Sequence, residues 1–373
     1  MKIERSLYKI LNEKFFKGKT IVLTGPRQTG KTTLIKAIIK EQGDFLFLDG
    51  DDLSIQQTLE NANTQELKKI IANYKVIFID EAQRINYIGL TAKIINDQFK
   101  DVQLILSGSS SFDLNNKINE PLTGRKWEYN LFPISWNEFQ NSLDYLTAKQ
   151  QLNTRLIYGM YPDVINNLGN EKEVLSNLTN SYLYKDVFML SNIKKPDILQ
   201  KLVQALAYQV GSEVSYNELA NLLKINKETV SSYINILEKA FIVFRVTAYS
   251  KNLRNEIKFN KKIYFYDNGI RNAVINSFND IELRNDKGAL WENFLISERI
   301  KYLHYNKQYT NYYFWRTKQG QEIDWIEETN QELFAYEFKW KKKKITRFPK
   351  KFLETYKPIT NVIDTDNFTD FLM

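Results

Sequence analysis

The stretch IVLTGPRQTGKT, Ile21 to Thr32, decides the fold, because a short apolar run leads into a glycine loop and then into LIKAIIK, whose apolar positions have helical spacing. Strand, loop and helix in that order make a phosphate cradle. In GxxxxGKT, Gly25 and Gly30 let the backbone bend so that amides at the helix N-terminus face phosphate oxygens. Lys31 then reaches the β and γ phosphates, while Thr32 offers its hydroxyl to Mg²⁺. The expected cofactors are ATP and Mg²⁺. The nucleotide-binding set is Gly25, Pro26, Arg27, Gln28, Thr29, Gly30, Lys31, Thr32 and Thr33, with Asp80 and Ser107 added from later strands.

Those later strands follow the same logic. VIFIDE, Val76 to Glu81, is apolar throughout like a parallel strand buried on both faces, and it ends in two acids. Asp80 is expected to orient Mg²⁺, and Glu81 to position or deprotonate the water that attacks the γ phosphate. DFLFLD around Phe45 and VQLILSGSSS around Leu104 supply two more strands. The fold class is therefore α/β, a doubly wound parallel sheet with its ligand at the carboxyl ends of the strands. Ser107 and Ser109 sit at that edge, placed either to sense the γ phosphate or to make a tight turn. Arg125, before a fifth strand, is the candidate to stabilise charge on the transferring phosphoryl group, in its own subunit or a neighbour's; otherwise it is a solvated loop residue.

Composition narrows the remaining chemistry. At 373 residues two or three domains are expected. With no cysteine and a single histidine, His304, metal ligands must be oxygens. His304 reads as a partly packed side chain. No apolar run approaches the roughly 20 residues of a membrane span, and MKIERSLYKILNEK lacks a signal-peptide core, so a cytoplasmic protein with no membrane association is expected. A net charge of +8 permits a polyanionic partner without selecting one.

GPRQTGKTTL, IDEAQR, LSGSSS, LTGR and LFPISWNEF together resemble the AAA-like ATPases of bacteria and archaea whose C-terminal part is the DUF4143 domain. The resemblance covers essentially the whole chain. It implies an AAA-like P-loop domain, a helical and winged-helix middle and a C-terminal domain similar to PD-(D/E)XK (restriction-endonuclease-like) nucleases, and motif changes along the chain place these over 1–140, 141–270 and 271–373. It also implies homo-oligomers, rings among them, in which one subunit's arginine completes the next subunit's site.

The middle can be read independently. In VSYNELANLLKINKETVSSYINILEKAFIVFRV, Ser215 and Glu218 form a capping box, and Leu219, Leu222 and Leu223 share a face. A second helix starts near Asn226 and buries Val230, Tyr233, Ile234 and Leu237. FIVFRV and KKIYFYD alternate like the strands of a wing, so a winged helix-turn-helix is expected, with Lys227, Thr229, Ser231, Ser232 and Asn235 on its exposed face. That face lacks an arginine for guanine, and a structural adaptor is the competing reading.

In QEIDWIEETNQELFAYEFKW, Gln321 to Trp340, strand alternation sends Glu337 and Lys339 to one face, with Tyr336 and Phe338 opposite; Asp324 stands on the neighbouring strand, with Ile323 and Trp325 turned away. Asp324 and Glu337 are hard oxygen ligands for Mg²⁺, and Lys339 can orient water. The family pattern adds Glu292, in preference to Glu298, from ALWENFLISERI. Three readings stay open: a nuclease, a catalytically silent nuclease-like DNA-binding domain, and a structural domain. The run KWKKKK, with Trp315, Arg316 and Trp340 able to stack, suggests sequence-independent, salt-sensitive phosphate contact. The expectation is ATP hydrolysis coupled to binding or remodelling of DNA, of branched form by hypothesis. Its rival is a nucleotide-dependent switch that scaffolds protein partners.

Overall fold

The computed structural model describes residues 3–109, 114, 117–181, 193, 195–250, 261–341 and 346–373. The chain forms two compact units: Lys2–Pro133 with Lys239–Phe241, and Ile134–Glu238 with Ile242–Met373.

In the first unit β1 (Thr20–Thr24), β2 (Phe45–Asp49), β3 (Val76–Asp80), β4 (Gln103–Gly108) and β5 (Lys126–Asn130) lie in the order β2-β3-β4-β1-β5. All neighbours are parallel. Helix-mediated crossovers cover both faces of such a sheet, and β1, β3 and β4 are accordingly buried at every position. Val22, Ile77, Ile79, Leu104 and Leu106 pack with Ile88, Ala92 and Ile95 of the helix Ile88–Gln98. Each large aliphatic side chain so buried contributes about 1.5–3 kcal/mol. Because β1 lies between β4 and β5, strand order reverses beside it, the place where sheets of this kind bind ligands at their carboxyl ends.

Among the described residues the second unit holds seven strands: β6 (Glu213–Val214), β7 (Val243–Ala248), β8 (Lys261–Phe265), β9 (Asn311–Arg316), β10 (Glu322–Thr329), β11 (Glu332–Phe338) and β12 (Ile359–Ile363), ordered β12-β11-β10-β9-β7-β8-β6. β7 and β8 are an antiparallel pair, as the wing reading expects, but β7 also pairs in parallel with β9 through Thr247↔Tyr313 and Ala248↔Phe314. One sheet thus runs from the middle of the chain to its end. The border expected near Ile270 falls inside the helix Asn268–Val274, which no composition change marks.

Before the hairpin, helices Tyr216–Leu223 and Lys227–Lys239 are joined through Lys224, whose φ of 55° ends the first of them. Ser215 accepts from the Glu218 amide at 3.4 Å, and Asn226 Oδ1 caps Thr229 N at 2.7 Å. Val230, Tyr233, Ile234 and Leu237 are buried as their spacing predicts. Leu222 is not, being 63% exposed; with Leu219 already filling the packed side, a residue three positions on points past its edge.

Candidate functional site

The cradle forms where β1 ends. Gly25 cannot be any other residue, because a Cβ there would stand 2.1 Å from the Leu131 carbonyl oxygen. Gly30 has φ of 90° and starts the helix Lys31–Ile39, and Gln28 is also left-handed at 59°. Buried Thr29 donates to the Pro26 oxygen at 2.8 Å, while Gln28 and Thr33 are exposed and Arg27 is half-buried. The Lys31 ammonium donates at 2.9 Å to the carbonyls of Gly25 and Pro26. Burial pushes it down to about 8, against the pull of Glu81 and Asp80.

β3 delivers its acids to the same edge. Asp80 Oδ2 accepts from Thr32 Oγ1 at 2.5 Å, and its other oxygen accepts from the Ser107 hydroxyl. A hydroxyl beside a carboxylate, both hard oxygens, suits Mg²⁺ arriving with nucleotide, which keeps phosphate and water as its other ligands. Glu81 follows in a left-handed conformation, φ 44° and ψ 41°. Its Oε2 accepts from Gln83 Nε2 at 2.5 Å and from Ser109 Oγ at 3.0 Å. Ser107 and Ser109 are thus both turned to the acids, one to each.

Two placements were not readable from spacing. Arg5, from the N-terminal segment, donates at 2.6 Å to the oxygens of Thr29 and Phe132, tying the loop to the chain beyond β5. Arg125 precedes β5, and its carbonyl accepts from Thr20 N at the start of β1. Parallel strands put that end opposite the cradle, about 16 Å away at about 3.3 Å per residue. Its guanidinium binds Asp97 at 2.8 Å, so Arg125 is not brought to its own subunit's nucleotide edge.

In the second unit Asp324, Glu337 and Lys339 do come together. Lys339 Nζ lies 2.6 Å from Glu337 Oε2 and 3.9 Å from Asp324 Oδ2, which also accepts from Phe338 N at 2.7 Å. Tyr336 and Phe338 pack on Phe371 from the other face, at 4.9 and 5.6 Å. Burial, then Glu292 and Glu337, raises Asp324 to about 8. Burial also raises Glu337, against the Lys339 hydrogen bond. Glu292, from the helix Lys287–Tyr305, faces this cluster, whereas buried Glu298 is engaged elsewhere, accepting from Trp136 N and Lys301 Nζ at 2.6 Å each.

A partner absent from the sequence reading is Lys262 of β8, 1% exposed, whose Nζ is 3.0 Å from Glu292 Oε1 and 2.5 Å from Glu322 Oε1. Tyr264 donates to the same Glu292 oxygen at 2.6 Å. Among the described residues no three Asp, Glu or His side chains gather closely enough to hold a metal ion by themselves.

One expected contact with nucleic acid is corrected. Trp315 is 7% exposed and packs on Phe352 at 4.9 Å, since alternation turns it into the core. Trp340 is half-buried against Trp291, and Asn235 accepts from Arg245 at 2.6 Å. Lys227 and Ser232 are exposed, Thr229 and Ser231 half-buried. Lys342 to Lys344 of KWKKKK lie outside the described residues.

Comparison with known proteins finds similar chains. An uncharacterized protein of Haemophilus influenzae is 25% identical over 276 residues, 68% of each chain. One of Methanocaldococcus jannaschii is 26% identical over 309 residues, covering 76% of this chain and 67% of that one. A Walker-type ATPase of Pyrococcus abyssi resembles the chain with a TM-score of 0.49 at 15% identity, covering 72% of this chain and 94% of that one. No helix among the described residues is long and apolar enough to cross a membrane. Residues 149–281 match a domain of unknown function (DUF8612), residues 287–367 a domain of unknown function (DUF4143), and residues 17–140 the AAA domain, so an AAA-domain match precedes the DUF4143 match along the chain.

Proposed function

We propose that the first unit hydrolyses ATP with Mg²⁺ and that its nucleotide state governs binding or remodelling of DNA by the second unit, a winged helix joined to a nuclease-like sheet. The observation that carries the hydrolysis is the convergence of Lys31, the Thr32–Asp80 pair and Glu81 at the edge where strand order reverses. Phosphate held by the cradle amides and Lys31 leaves Glu81 as the base or positioning group for water. The DNA part is supported by net charge, by the helix pair followed by a hairpin, and by Arg316, exposed beside the acid cluster. Grip without cutting is favoured over cleavage, because Lys262 and Lys339 already pair with Glu292, Glu322 and Glu337.

Burial of Trp315 and engagement of Asn235 favour a second reading, a nucleotide-dependent switch that binds protein partners. ATPase rate measured with and without linear, forked and four-way DNA at two salt concentrations separates them. The DNA reading expects stimulation that fades as salt rises, with Lys31→Ala inactive throughout. A turnover rate indifferent to every DNA would transfer the proposal to the protein switch.

A further inference from the structure

Glu292, Glu322, Asp324 and Glu337 bring four carboxylates to one side of the second unit's sheet, and like charges held this close repel unless a cation lies among them. Two ammonium groups are already there. Lys262 runs over the Phe314 ring, 5.4 Å from its centroid, and ends between Glu292 and Glu322 with almost no solvent contact. Lys339 takes Glu337 and approaches Asp324. Tyr264 completes the shell by donating to the Glu292 oxygen that Lys262 already binds.

We propose that the Lys262 ammonium is a resident cation taking a divalent metal's place beside Glu292, Glu322 and Asp324, so that the domain keeps acids of the metal-binding kind without using a metal. Seating is what distinguishes this lysine from a surface ion pair. An ammonium withdrawn from water is held by its partners, and removing it leaves uncompensated buried acids. The inference rests on the nuclease-like reading only for the grouping of the acids, and its test uses neither DNA nor nucleotide.

Mn²⁺ binding to the full chain without nucleotide is measured by electron paramagnetic resonance for wild type, Asp324→Asn, Lys262→Ala and the double variant. Wild type and Asp324→Asn are expected to bind Mn²⁺ alike. Lys262→Ala is expected to gain affinity about tenfold or more from the released negative charge, a gain that Asp324→Asn abolishes. Wild-type Mn²⁺ binding that Asp324→Asn removes would overturn the proposal, as would a folded Lys262→Ala protein that gains nothing. If Lys262→Ala does not fold, the wild-type and Asp324→Asn pair decides alone. Equal DNA affinity with or without Mn²⁺ is a separate measurement, so loss of the DNA reading leaves this result intact.

Discussion

At the scale of single residues, the catalytic edge is held by short polar contacts around backbone that only a few positions could supply. Glu81 adopts left-handed geometry, which costs a non-glycine residue on the order of 1–3 kcal/mol, and Gln83 and Ser109 hold its carboxylate there. Substituting Glu81→Gln keeps shape and removes proton-accepting capacity. Hydrolysis should fall about 100-fold or more while ATP affinity stays within a few-fold. Turnover and equilibrium binding of a fluorescent ATP analogue check this together; parallel loss of both would make Glu81 a structural residue.

At the scale of elements, the helix Lys287–Tyr305 carries acids toward the sheet at one end and His304 at the other. Burial lowers His304 from 6.5 to about 4. The unfolded chain therefore takes up the proton first, and stability is lost as pH falls through 6.5, levelling off near 4. At pH 5 the loss should be about 2 kcal/mol. Urea melts of wild type and His304→Gln should show the variant closing on or overtaking wild type between pH 8 and pH 5; a constant gap would sink the assignment.

The elements also show what was legible beforehand. GPRQTGKT and VIFIDE were readable because their chemistry is local, a loop and a strand end whose residues meet through spacing alone. The alternation that grouped Glu337 with Lys339 is of the same kind. Lys262 was not readable, since its partners lie 30 and 60 residues away and only the pairing of β7 with β9 brings β8 near them. Arg5 meets Phe132 across 127 residues for a similar reason. Leu222 followed helical period and still faces solvent, because period reports a direction and not what waits there.

At the scale of the whole molecule, Arg125 raises a question of assembly. It does not serve the cradle on its own sheet, so a catalytic role would have to be played toward an adjoining copy. Separately inactive Arg125→Ala and Lys31→Ala proteins should regain ATPase activity when mixed, by about a quarter of wild type if subunits exchange at random in pairs. An inert mixture, or an Arg125→Ala protein as active as wild type, would reduce Arg125 to the ion pair it makes with Asp97.

The parallel seam between β7 and β9 also bears on how force could travel. Two backbones stitched edge to edge resist shear, so the hairpin after the helix pair and the acid-bearing strands must translate as one lever. A displacement of either is carried to the other through the Thr247↔Tyr313 and Ala248↔Phe314 pairs.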